Sequence, residues 1–294
     1  MKQKLFFLLL CSGMLMHLAA QRIEVSTPRL VSEAGTEAYH PKFTPDGSTI
    51  LLTSENFGGL KAFNLETQTV RELSSAVGAG WNALVSSDSR TVFFQAIDFS
   101  NNPWGTKTFH AASMETGQAR DLSALDNAVV QPSAVEGLLR ARTTAEQLVV
   151  AYANEDLQIV VERNGQKTVL TPNGDNQRYI WVSLSPDKSK IVYTVSSLSQ
   201  TFIADLDGNV LANLGRLSAP AWLGNDFVIG MNDVDDGRVV TQSNIVGVSA
   251  DGQFRQNLTQ AGELIAMFPS ASPDGSMIAF NTLDGKLYLM EVIK

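Results

Sequence analysis

Residues 268–282 read "FPSASPDGSMIAFNT", and this stretch decides the fold. Residues 40–54, "HPKFTPDGSTILLTS", align with it without a gap. Each carries a proline, then Ser/Thr-Pro-Asp-Gly-Ser, then an alternating apolar run. Proline presets one turn dihedral, aspartate bonds nearby backbone amides, and glycine accepts a positive φ. The motif is therefore a tight turn feeding a β-strand, written near both ends of one chain. On this reading Asp46, Asp187 and Asp274 serve turn geometry rather than catalysis.

Between the two copies lie weaker relatives: "GWNALVSSDS", "VVQPSAVEG", "YIWVSLSPDK" and "SAPAWLGND". With Asp46, Asp88, Gly137, Asp187, Asp226 and Asp274 as markers, the spacings are 42, 49, 50, 39 and 48 residues. Six units of that length match propeller blades. After each turn comes an apolar strand, "TILLTS" or "KIVYTV" for example, then a loop and a third strand such as "LKAFNL" or "QTFIADL". Tight turns such as "RNGQ", "LDGN" and "ADGQ" lead to a fourth strand. The expectation is an all-β, six-bladed β-propeller with four-stranded antiparallel blades. The last unit stops after three strands, whereas "PRLVSEA" (28–34) reads like the outer strands "VRELSSA" and "ARDLSAL". The N-terminal segment is thus expected to complete the C-terminal blade, closing the ring and removing an open edge.

The "PxφSPDGxxφφφ" units, with φ apolar, resemble the PD40 (WD40-like) repeats of the TolB-type propeller family. The resemblance is clear in units one, four and six and weaker in the others. It implies an envelope-associated, TolB-like role in a Gram-negative bacterium. Exported TolB proteins carry an additional N-terminal α/β domain; fewer than about twenty residues are available for one here, so the propeller alone is expected. Related propellers are also fused to serine peptidases, and no hydrolase domain is expected to follow this one.

The N-terminus has its own signature. Lys2 and Lys4 precede an apolar stretch ending in Leu18-Ala19-Ala20, the pattern of a secretory leader. Cleavage after Ala20 would leave residues 21–294 as a single propeller domain in the periplasm or outside the cell. Cys11, the one cysteine, lies inside the leader behind Leu10 rather than a small residue, so a lipid anchor is not expected. Twenty basic against 30 acidic residues remain once Lys2 and Lys4 are set aside, a net charge of −10. Such a surface offers no basic footprint for nucleic acid or anionic membrane. No transmembrane span is expected in the mature chain, and a monomer is.

Catalytic constellations are sparse. Two histidines, His40 and His110, remain after the leader. "GVSADG" (247–252) lacks the final glycine of a nucleophile elbow, and "NDVDDG" (232–237) lacks the alternating acids of an EF-hand. No phosphate loop or His/Cys metal spacing is present, so no catalytic residue, metal or cofactor is expected.

Propeller geometry singles out one face, where strand-one starts meet the loops between strands two and three. There the sequence places His40, Trp81, Asn82, Gln131, Trp181 and Phe268. Two loops, 97–107 and 232–242, read as long, and in a six-fold ring they belong to opposite blades. One carries Phe99 and Trp104; the other carries Asp233, Asp235 and Asp236. An aromatic lip facing an acidic lip suits an envelope protein or peptide segment of basic character. Packing between blades is the competing role for Trp81 and Trp181. The expected function is a non-enzymatic, protein- or peptide-binding propeller of the envelope. Two alternatives stay open. One is a carbohydrate-binding or degenerate polysaccharide-lyase-like propeller stacking sugars on tryptophan, although PD40-containing oligogalacturonate lyases imply more histidines. The other is a structural scaffold that uses the blade rims.

Overall fold

The computed structural model describes residues 22–33, 35–122, 149–260 and 262–293. The segment expected to be a leader, with Cys11, and Gln131 with the "VVQPSAVEG" unit, lie outside the described residues. The described residues form 24 strands and no helix.

The chain opens with two short strands, β1 (Glu24–Val25) and β2 (Arg29–Leu30). Blade one follows as β3 (Tyr39–Phe43), β4 (Thr49–Thr53), β5 (Leu60–Asn64) and β6 (Val70–Ser74). Blade two is β7 (Leu84–Val85), β8 (Thr91–Asp98), β9 (Thr106–Ser113) and β10 (Ala119–Asp121). Blade three shows three strands among the described residues: β11 (Val149–Ala153), β12 (Ile159–Arg163) and β13 (Gln166–Leu170). Blade four comprises β14 (Tyr179–Leu184), β15 (Lys190–Val195), β16 (Gln200–Asp205) and β17 (Val210–Gly215). Blade five comprises β18 (Ser218–Leu223), β19 (Phe227–Asp235), β20 (Val240–Ser249) and β21 (Arg255–Asn257). Blade six is β22 (Ala266–Ala271), β23 (Met277–Thr282) and β24 (Leu287–Ile293). Each blade is a separate antiparallel sheet, so the architecture is a six-bladed β-propeller.

The N-terminal strand closes the ring on blade six. Glu24 and Val25 pair with Ile293 and Val292, and Arg29 and Leu30 pair with Leu289 and Tyr288. The pairing begins at Glu24, earlier than the 28–34 expected from sequence. "PRLVSEA" carries only the second half of the outer strand. The Ser26 and Ser32 hydroxyls accept the Glu291 and Leu287 amides at 2.9 and 3.0 Å, bridging irregular stretches of the pairing.

Second strands are apolar on both faces because each face meets a different blade. In β4, Leu51 joins a cluster with Val92 and Phe94 of blade two, while Ile50 and Leu52 join Ala279 and Leu289 of blade six. In β15, Tyr193 packs with Ile159 of blade three and Val192 with Val228 of blade five. That is why these strands read as near-continuous apolar runs.

The turn acids hold the turns as expected. The Asp46 carboxylate accepts the Thr44 hydroxyl at 2.7 Å and the Ser48 amide at 3.0 Å. Asp187 and Asp274 repeat the pattern with Ser185 and Ser189, and with Ser272 and Ser276. These hydrogen bonds hold the carboxyls below the usual range, Asp274 at about 2. Two turns also lock neighbouring blades. The Asp46 amide donates to Ser89 Oγ and the Asp187 amide to Asn225 Oδ1, both at 3.0 Å.

Candidate functional site

Each described blade that has a first strand carries the same backbone distortion in that strand or, in blade two, just before it. His40, Asn82, Trp181, Ala219 and Phe268 all have positive φ, between 46° and 52°. Each stands four residues before the turn position occupied by Thr44, Ser86, Ser185, Leu223 or Ser272. In blades one, four, five and six the register slips at this point, as a β-bulge does. A left-handed residue other than glycine costs of order 1 kcal/mol or more, so the surrounding structure must impose it five times over. The left-handed conformation re-aims these side chains inward. All five line one central cavity of about 550 Å³.

His40 is the centre of an aromatic group at the junction of blades six, one and two. Its ring stacks on Phe57 at 4.1 Å between centroids and meets Phe268 at 4.2 Å. Phe57 then meets Trp81 edge-on at 4.8 Å. Phe57 lies on the loop between β4 and β5, so strand-one residues and second-to-third-strand loops do share a face. The His40 amide donates to Asn281 Oδ1 of blade six at 3.0 Å, and its Nε2 sits 3.3 Å from the Glu55 carbonyl oxygen. Burial pushes the His40 imidazole below its ordinary pKa, against the smaller upward pull of Glu55. Lys42, two residues on, projects into the same cavity and donates from Nζ to the Ala83 carbonyl of blade two at 3.0 Å. The side chain reaches open cavity space, yet the surrounding walls desolvate the ammonium and lower its pKa.

The tryptophans divide by role. Trp222 is 7% exposed and donates from Nε1 to the Ser183 carbonyl at 3.2 Å, joining blade five to blade four. Trp81 and Trp181 are 49% and 42% exposed at the cavity wall. Trp222 is thus the buried inter-blade tryptophan, while Trp81 packs its edge on Phe57 of blade one and leaves about half its surface open.

The two lips are built differently from the long loops expected. Most of 232–242 is strand: Asn232, Asp233 and Val234 pair with Asn244, Ser243 and Gln242. The connection narrows to residues 236–239 because the acids bind its amides. Asp235 accepts the Gly237 amide, and Asp236 accepts those of Arg238 and Val239, at 2.9 to 3.0 Å. Those backbone bonds hold the Asp236 carboxyl below its usual pKa. Asp233 instead turns toward Arg216, 3.7 Å away, with its Oδ1 buried and unpartnered among the described residues. Likewise β8 and β9 extend the opposite hairpin from Thr91 to Ser113, leaving residues 99–105 as the loop. Phe99 folds back there against the positive-φ Gly105, where a Cβ would lie 2.9 Å from its ring. Trp104 stands 92% exposed at the tip.

The structure thus brings His40, Trp81, Asn82, Trp181 and Phe268 to one cavity, whereas Phe99, Trp104, Asp233, Asp235 and Asp236 do not line it. Sequence reasoning missed Phe57 and Lys42. Phe57 sits in an unremarkable "SENFGGL" loop, and Lys42 falls inside a strand where alternation alone does not say which face is a cavity.

No protein-family model and no curated protein matches this chain. Among solved structures, the chain is similar to TolB from Acinetobacter baumannii, with 20% identity and a TM-score of 0.53 over 82% of this chain and 58% of that one. It is similar to a putative TolB from Agrobacterium tumefaciens, with 16% identity and a TM-score of 0.53 over 93% and 99% of the two chains. A chain of the mitotic checkpoint complex matches over the full length of both chains, with 11% identity and a TM-score of 0.61. At these identities the likeness is one of fold. Among the described residues no helix is long and apolar enough to cross a membrane.

Proposed function

We propose that this chain is an exported, TolB-like propeller of the bacterial envelope that binds a segment of another protein and catalyses no reaction on it. Residues 1–20 act as a cleaved leader and 21–294 as the single binding domain. One observation carries the reading. A left-handed backbone at five first-strand starts directs His40, Asn82, Trp181, Ala219 and Phe268 into one cavity whose wall leaves Trp81 and Trp181 half exposed. Exposed aromatics around a concave, partly polar site are the usual anchors for a protein partner. Phe99 and Trp104 on one hairpin, with Asp233, Asp235 and Asp236 on the hairpin of the opposite blade, make an outer tier of contact.

A second reading draws on the same exposed tryptophans, which also suit stacking against sugar rings. Crosslinking pull-downs of the tagged protein from its own cell envelope separate the two. The wild type is compared with Trp81→Ala/Trp181→Ala, and with Trp104→Ala/Asp233→Ala/Asp235→Ala/Asp236→Ala. A single protein lost with the first variant and weakened with the second is the expected result. Partners retained by both variants would move the interface to the blade rims. No protein capture, with glycan binding that depends on the tryptophans, would favour the sugar reading.

A further inference from the structure

The cavity's charge differs from that of its surroundings. The protein is acidic overall, yet among the described residues lining the cavity there is no Asp or Glu; the ionisable groups there are His40 and Lys42. The repeat makes Lys42 conspicuous. The position two residues beyond the left-handed residue is Lys42, Leu84, Ser183, Ala221 or Ser270 in the five described first strands. Among these five, blade one writes a cation where the other four write neutral residues.

Lys42 is also held in place. Its one hydrogen bond among the described residues, to the Ala83 carbonyl, holds the ammonium across the junction of blades one and two. An ammonium has three donors, and no carboxylate answers them among the described residues. Pro41, Pro220 and Pro269 line the same space and bring no backbone N–H to it. Ser183 and Ser270 do bring hydroxyls, and Ser270 Oγ already accepts the Phe43 amide at 3.3 Å, leaving its proton to donate. An ammonium and hydroxyl donors inside low-dielectric aromatic and proline walls make a strong site for a small, hard anion.

We propose that Lys42 anchors a carboxylate of the bound peptide segment, with the neighbouring apolar side chain of that segment lying against His40, Phe57 and Trp81. The carboxylate is a chain terminus or an Asp or Glu side chain. This inference rests on the peptide-binding reading above, and it replaces a basic ligand with an acidic one inside the cavity.

The test uses three random hexapeptide pools. The first has free C-termini and no Asp or Glu; the second is C-terminally amidated and contains Asp and Glu; the third is amidated and carries no carboxylate. Each is passed over immobilised wild-type protein, and the retained peptides are quantified by mass spectrometry. At least one carboxylate pool should be retained about 10-fold over the third, the effect of one charge-assisted hydrogen bond. The winning pool tells terminal from side-chain carboxylate. Lys42→Met should bring the pools to parity while still retaining peptides, and Lys42→Arg should restore the preference. Thermal unfolding confirms that both variants are folded. Equal retention of all three pools by the wild type, or an unchanged preference in Lys42→Met, would overturn the carboxylate site and leave peptide binding standing. Retention of no pool, or of oligogalacturonate in place of peptides, would overturn both.

Discussion

Replacing Ile23 with alanine tests the closure of the ring. Ile23 is 4% exposed and belongs to the cluster that joins blades five and six. Its Cδ1 presses so closely on Gly247 that a Cβ there would lie 2.4 Å away, and its carbonyl accepts Gln256 Nε2 at 2.9 Å. Truncating a buried isoleucine to alanine costs about 2–5 kcal/mol, depending on how far the site relaxes. Ile23 sits on the two-residue-strand strap rather than within a blade, so a mid-range cost of about 3 kcal/mol is expected. For a domain of this size that lowers Tm by roughly 6–12 °C. Urea unfolding followed by tryptophan fluorescence and by far-UV circular dichroism gives the answer. Both transitions should move together to lower denaturant, because losing the strap opens blade six to solvent along β24. Leu30→Ala, at a half-exposed position of the same strap, should cost under about 1 kcal/mol. An Ile23→Ala protein with an unchanged midpoint would refute the closure argument, since the strap would then fray independently of the ring.

The other predictions concern the cavity floor, the turns and His40. Gly80→Ala should destabilise by about 1–3 kcal/mol, because its Cβ would fall 2.0 Å from Thr53 Oγ1 and 2.4 Å from Thr53 Cβ; an unchanged Tm would show that blades one and two separate freely. The Asp274 carboxyl is held at about 2 by Ser272 and Ser276. Its contribution is therefore present above the unfolded value of about 3.9 and is lost as pH falls toward 2. Asp274→Asn should lower Tm at neutral pH and converge with the wild type near pH 2, and a gap that persists into acid would contradict this. His40 behaves oppositely in charge. Its folded pKa is lowered, so the unfolded chain binds the extra proton, and stability rises with pH through the window just below about 6.5. His40→Phe, which keeps a ring against Phe57, should flatten that slope in a Tm series from about pH 5 to pH 7; an equal slope would refute it.

Much of this architecture was legible in residues. Ser-Pro-Asp-Gly fixed the turns because its geometry is local, and the two-faced apolar second strands followed from burial between blades. The borrowed N-terminal strand was readable from "PRLVSEA", but its start at Glu24 was not, since two-residue strands bridged by Ser26 and Ser32 have no periodicity to read. The hairpins at 97–107 and 232–242 looked like loops because Asp, Asn and Gly signal turns; strand pairing overrode them except where Asp235 and Asp236 bind the turn amides. The cavity was half visible. His40, Trp81, Asn82, Trp181 and Phe268 stood out as unusual residues at strand starts. The left-handed backbone that aims four of them inward left no such mark, since it falls on His, Asn, Trp, Ala and Phe alike. Lys42 is invisible to any local rule, because its meaning depends on what the other blades place at the same depth.

The most direct test of the central claim is site-specific photo-crosslinking in the native cell envelope. A benzophenone amino acid is placed at Trp181, on the cavity wall, or at Val169, half exposed on the outer strand of blade three. Cavity binding predicts one discrete crosslinked protein from position 181, absent from position 169. Crosslinks from 169 alone, or the same products from both, would contradict it and place the interface on the rim.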